Sequence, residues 1–375
     1  MINDIVLSGD KNEDQIHTGT ENGFQEIPFL SDIGLAITYH CQSSCLHCIV
    51  EAGPKRREFI PLHDVHSWLK QISNYNNRQI KAIAITGGEP FSNLEYLTSI
   101  VKKAFSLSLL VTAVSNAYWA TSYETALSIL KNLPEISVLT FSTDIYHQRV
   151  IPLQRIKNAI RAAQELGRRY SIAVCVGSEM DDATINTLKY LSEFAPLEVI
   201  NTANIFPVGR ARTLVECKNY PFSTIPPKAA CSMAHAPVIL VDGSVIACFG
   251  PIIGIKSDHP LYLGNLYKES LSDILDRAEM NPILHIIRVW GPYKLIEMVK
   301  KEGFRDCLPD KYVTDSICCI CYDFFKELPQ NEKLKVFLDK LKKDLEFLEL
   351  IGYGRVFYLK EMHMAGMLSI NKSSE

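Results

Sequence analysis

Residues 80–90 read IKAIAITGGEP, a run of small and β-branched apolar residues that stops on Gly87-Gly88-Glu89-Pro90. A short apolar run closed by glycine is the pattern of a strand buried on both faces. LEYLTSIVKKAF follows at 94–105, with its apolar residues at helical spacing. The same rhythm extends in both directions. Upstream, LAITY (35–39) reads as a strand and PLHDVHSWLKQI (61–72) as a helix. Downstream, strands at 109–115, 136–142, 171–177 and 198–205 alternate with helices at 123–133, 152–167 and 182–193. Six strand–helix repeats predict an α/β fold with a parallel sheet under helices, closed as a barrel or left open and doubly wound. After Pro207 the rhythm breaks. A hairpin at 238–248 and helices near 267–277 and 331–348 predict a second, smaller region.

The remaining bulk properties narrow the function. The 375 residues carry 22% charged side chains and a net charge of −3, which gives no electrostatic case for nucleic-acid binding. No apolar run reaches the length of a membrane span, and MINDIVLSGDKNEDQIHTG has neither the positive start nor the apolar core of a secretory signal. A cytoplasmic location is the expectation, with residues 1–30 as a polar leader. Eleven cysteines, an odd number, do not suit a disulfide framework in such a chain. Six of them cluster at 41–48 and 318–321, as metal ligands do; Cys175 and Cys217 read as small buried hydrophobes.

Cys41-Gln-Ser-Ser-Cys45-Leu-His-Cys48 sits in the loop directly after the first strand. Three thiolates in one loop can wrap a cubane cluster while leaving one of its irons open. A zinc ion with a fourth ligand from elsewhere is the alternative. In a parallel barrel the loops after the strands share one mouth, so this loop, Gly87–Pro90, Asn116, Ser142 and Asp144 converge there. Further on, Cys231 precedes a hairpin whose Asp242-Gly243 suits a tight two-residue turn. Cys248 ends the returning strand, and Cys318-Cys319-Ile320-Cys321 follows. Four separated thiols could close a second cubane or a zinc ribbon.

The C-x3-C-x2-C loop followed by Gly87-Gly88-Glu89-Pro90 resembles the radical S-adenosylmethionine (radical SAM) superfamily. That resemblance implies a partial (β/α)6 TIM-type barrel over residues 31–209. It implies a catalytic [4Fe–4S] cluster on Cys41, Cys45 and Cys48, with S-adenosyl-L-methionine on the open iron. Gly87, Gly88, Glu89, Pro90, Asn116, Ser142 and Asp144 would hold that cosubstrate. His47 stands where the family usually has another aromatic residue. Residues 210–330 resemble the auxiliary SPASM/twitch domain, which implies a second [4Fe–4S] cluster on Cys231, Cys248, Cys318 and Cys321; Cys319 and Cys307 are alternative ligands. Residues 331–375 would form a helical tail. The implied activity is reductive cleavage of the cosubstrate to a 5′-deoxyadenosyl radical that abstracts hydrogen, an oxidoreductase or maturase chemistry. Flavodoxin or ferredoxin would supply the electron. The substrate would be a ribosomal peptide that is crosslinked, given a thioether or epimerised. Alternatives are an aminocyclitol or sugar substrate, for which Cys175 could donate hydrogen in an epimerisation, and a zinc-binding scaffold without activity.

Overall fold

The computed structural model describes residues 30–177, 180–206, 208–213, 221–255, 259–314 and 316–364. The polar segment 1–29, Pro207, Cys217 and residues 365–375 of the expected tail lie outside these. The first strand, β1 (Asp32–Thr38), is buried at every position after Asp32, as a strand covered on both faces must be. It leads to α1 (Leu62–Asn74), whose Val65, Trp68, Leu69 and Ile72 form one apolar stripe against the sheet. The alternation continues through β2 (Ala82–Gly87), α2 (Leu94–Ser106), β3 (Leu110–Ser115), α3 (Tyr123–Lys131) and β4 (Val138–Ser142). It ends with α4 (Leu153–Glu165), β5 (Arg169–Val176), α5 (Asp182–Ser192) and β6 (Ile200–Asn204). Asn93, Ser122 and Asp181 cap α2, α3 and α5 by accepting a hydrogen bond from a first-turn N–H.

Strands β1 to β6 pair in sequence order, all parallel, with Leu35 beside Ile85, Ile85 beside Ala113 and Ala113 beside Leu139. This is the partial barrel. Fully buried Leu35, Ile37, Ile83, Ile85, Val111 and Phe141 pack in one core with the covering helices, and Thr86, Val114, Ser142 and Cys175, which alternate with such residues along the strands, face inward.

The C-terminal part holds β7 (Phe222–Ser223), β8 (Val238–Ile239), β9 (Ser244–Ile246) and β10 (Tyr262–Asn265). Then come α6 (Leu271–Glu279), α7 (Pro282–Val289), α8 (Tyr293–Lys301), β11 (Tyr312–Val313), α9 (Ile317–Lys326), α10 (Glu332–Lys342) and α11 (Leu345–Met364). The two-stranded pair β7–β11 stands alone. The hairpin does not. Strand β8 lies parallel to β1, with Gly34 beside Val238, so β8, β9 and β10 extend the barrel sheet to nine strands. The expected two-residue turn is also different: Gly243 N–H donates to the Leu240 carbonyl and Gly243 takes φ +77°, giving a three-residue loop with a left-handed glycine at its end. Residues 331–348 divide into α10 and α11 instead of one helix.

Candidate active site

The turn after β1 is anchored before its cysteines begin. Thr38 Oγ1 donates to the Glu58 carbonyl at 2.7 Å and accepts from His40 N–H at 2.9 Å. The cysteine loop itself is clamped from the far end of the barrel. Arg210 donates through Nε to the Cys45 carbonyl at 2.9 Å and through a terminal nitrogen to the Ala52 carbonyl at 2.7 Å. Its own N–H donates to the Cys48 carbonyl. These three hydrogen bonds all go to backbone carbonyls, so no pattern of residue types in the sequence marks Arg210 as a clamp.

Gly87-Gly88 form the opposite wall. Gly88 N–H donates to the Thr38 carbonyl at 2.7 Å and Glu89 N–H to the His40 carbonyl at 2.8 Å. A Cβ on Gly87 would stand 2.3 Å from the Thr38 oxygen and one on Gly88 2.1 Å from the His40 oxygen, so glycine alone permits this approach. Glu89 and Pro90 do not reach the cavity. The Glu89 carboxylate, 1% exposed, accepts from Ser115 Oγ and Asn116 N–H at 2.8 Å and from Phe91 N–H at 3.1 Å. Burial nevertheless pushes its pKa up to about 7. Glu89 thus ties the end of β2 to the end of β3.

Between these walls lies a cavity of about 260 Å³ lined by Cys41, Cys45, Cys48, Gly87, Gly88, Asn116, Ser142 and His147. Cys175, Asn204, Arg210 and Phe249 complete it, so Cys175 is a lining residue and not a core thiol. Asp144 stands behind the wall. One of its oxygens accepts from the N–H groups of Tyr146 and His147, and the other from His147 Nδ1 at 2.8 Å, with His47 Nε2 at 3.3 Å. Burial raises its pKa, but these hydrogen bonds outweigh it and hold the carboxyl well below the usual carboxylate range. Asp144 therefore orients two imidazoles, one on the cysteine loop and one on the cavity wall. A larger cavity, about 760 Å³, lies beside β10 and α10 but contains none of the expected ligands. Its cations Arg277, Lys335 and Lys342 are paired with Glu269, Glu332 and Asp339.

The second set of cysteines also comes together. Cys231, Cys248, Cys318 and Cys321 lie within electrostatic reach of one another, and burial drives all four thiols above their ordinary range. Cys318 and Cys321 are three residues apart on α9 and so share a face. The Cys307 thiol donates to the Asp306 carboxylate.

The donor sets suit iron–sulfur clusters. Ser43 N–H and Asn116 Nδ2 point at Cys41 Sγ, and Ala52 N–H at Cys48 Sγ, contacts that favour a thiolate. Burial pushes Cys41 and Cys45 up to about 12, so a cation must displace their protons. Among the described residues one further group of candidate ligands, His47, Asp144 and His147, has its ligand atoms within 4.8 Å of one another.

Residues 35–191 match the sequence model described as the Radical SAM superfamily. Residues 35–191, which carry the cysteine loop and the first five strands of the half-barrel, thus form a radical SAM domain, a class of domain that holds a [4Fe–4S] cluster and S-adenosylmethionine. Across 83% of its length the chain is 22% identical to 96% of YydG of Bacillus subtilis (strain 168), whose name links it to peptide biosynthesis. It also shares its fold with polyhistidine-tagged anSMEcpe with bound AdoMet (TM-score 0.52, 14% identity, 88% of this chain and 99% of that one). Native anSMEcpe with bound AdoMet and Kp18Cys peptide superposes with a TM-score of 0.50 at 13% identity, covering 86% and 99%. Among the described residues no helix is long and apolar enough to cross a membrane.

Proposed function

We propose that this chain modifies a ribosomally made peptide by radical SAM chemistry, with a second [4Fe–4S] cluster in its C-terminal region. The observation that carries the reading is the joint placement of three thiols from one loop, a side-chain-free glycine wall and Asn116 and Ser142 around one cavity. Cys41, Cys45 and Cys48 would hold the catalytic cluster, and Gly87, Gly88, Asn116 and Ser142 would line the place of S-adenosylmethionine. Once bound, the cluster and cosubstrate supply a 5′-deoxyadenosyl radical for hydrogen abstraction. The chain's own work is to orient and exclude water: Arg210 fixes the cysteine loop, Glu89 fixes the two strand ends, and Asp144 fixes His47 and His147. Cys231, Cys248, Cys318 and Cys321 are the proposed ligands of the second cluster; residues 31–209 and 210–330 are then the catalytic and auxiliary units. A peptide substrate is favoured by the likeness to YydG.

The test uses anaerobically reconstituted, reduced protein. It should split S-adenosylmethionine into methionine and 5′-deoxyadenosine, and alanine at Cys41, Cys45 or Cys48 should abolish this. Deuterium transfer from labelled peptides encoded beside the gene into 5′-deoxyadenosine would identify the substrate class. A protein that takes up zinc but no iron, or that never cleaves the cosubstrate, refutes the proposal.

A further inference from the structure

Helix α7 is buried at every one of its eight positions, and one of these is an arginine. Arg288 is 2% exposed. Its Nε donates to the Ala234 carbonyl at 2.9 Å, in the turn that begins at Cys231. Cys231 N–H in turn donates to the Ile287 carbonyl at 3.0 Å, so the arginine and the cysteine are laced to the same piece of backbone. Both terminal nitrogens of Arg288 are buried and have no hydrogen-bond partner. A guanidinium out of water costs several kcal/mol unless an opposite charge answers it. Glu279 is the nearest conventional candidate, yet no ion pair joins them within 4.0 Å, and Glu279 spends one oxygen on Leu30 N–H and Gln79 while the other has no partner. After Glu279, whose pull is the larger, Cys231 acts on Arg288, and the two backbone bonds above hold that cysteine beside it.

We infer that Arg288 is the buried counter-charge of the second cluster and sets its reduction potential. The inference rests on the proposal that Cys231, Cys248, Cys318 and Cys321 hold such a cluster. Four thiolates outnumber the positive charge of a cubane core, and the assembly becomes more negative when it accepts an electron. A fixed cation beside Cys231 stabilises the reduced form most, so it raises the potential. It acts through the cluster and touches no reacting atom, which makes it a positioning residue.

The experiment isolates the second site in a Cys41→Ala/Cys45→Ala/Cys48→Ala background, reconstituted anaerobically, and follows reduction by electron paramagnetic resonance during a redox titration. Arg288→Met should shift the reduction equilibrium at least tenfold toward the oxidised form, about 59 mV for one electron. Arg288→Lys should restore most of it. Glu279→Gln, which leaves the arginine in place and removes its competing carboxylate, should move the potential the opposite way and covers the case in which Arg288→Met does not fold. A full iron complement with an unchanged potential in Arg288→Met, or in Glu279→Gln should the former not fold, overturns the inference. An isolated second site that takes up no iron–sulfur cluster refutes the ligand proposal itself, a separate outcome.

Discussion

Alanine at Gly88 adds one methyl group and tests the whole arrangement of the candidate site. The new Cβ would stand 2.1 Å from the His40 carbonyl oxygen, 2.7 Å from its carbon and 3.0 Å from the Tyr39 carbonyl carbon. An ordinary carbon–oxygen contact is about 3.3 Å, so the two backbones must part by about 1.2 Å. No side chain can absorb this, because every atom met is main chain. Parting them stretches the bonds from Gly88 N–H to Thr38 and from Glu89 N–H to His40, which join the glycine wall to the segment entering Cys41. Overpacking of this kind costs about 1–3 kcal/mol of stability, which a protein of this size survives. The displacement falls on the reacting geometry, where an error near 1 Å lowers turnover by about 100-fold. The assay is the initial rate of 5′-deoxyadenosine formation by anaerobic reduced protein, with iron content and far-ultraviolet circular dichroism as controls. Gly88→Ala with full iron, native dichroism and an unchanged rate would show that the glycine wall does not border the cosubstrate.

Two further changes test neighbouring parts of the molecule. Arg210→Met removes two charge-assisted bonds to the carbonyls of Cys45 and Ala52, about 1.5–3 kcal/mol each. Iron retained after a chelator challenge should fall from about eight atoms per chain to about four, the second cluster being untouched; retention of both would show that the clamp is dispensable. His285, fully buried on α7, has its pKa pushed down to about 3, by burial first and by Arg288 second. The unfolded chain takes up a proton near the ordinary value of about 6.5 and the folded chain does not, so stability falls as pH drops below that value and continues to fall toward pH 3. At about pH 5.5 the loss is about 1.4 kcal/mol. Urea titrations across pH should show it in wild type and not in His285→Gln; parallel curves would remove His285 as the cause.

The half-barrel is plain in the sequence because each strand is a compact apolar run between turns, and each early helix carries one apolar stripe. The site loops are plain because strand ends dictate where they emerge. What escapes a reader has identifiable causes. Helix α7, PILHIIRV, is buried all round, so it lacks the one-sided spacing that marks a surface helix. Helix α9 begins in the run Ile317–Cys321, where the cysteines invite a reading as a ligand loop. The alignment of β8 with β1 joins Gly34 to Val238 across the chain and leaves no local trace. Glu89 and Asp144 carry the residue types of ligand contacts, and the sequence does not show that both carboxylates are buried in hydrogen bonds to neighbouring groups, since only tertiary packing decides which side of a wall a carboxylate occupies.

That alignment of β8 with β1 has a mechanical consequence. Strand β9 runs opposite to β1, so Cys41 and Cys248 leave one continuous ladder at its two ends. The separation of the two sulfur-bearing strand ends is then ruled off by sheet geometry, like marks on a steel tape, and owes nothing to the slack of the intervening chain.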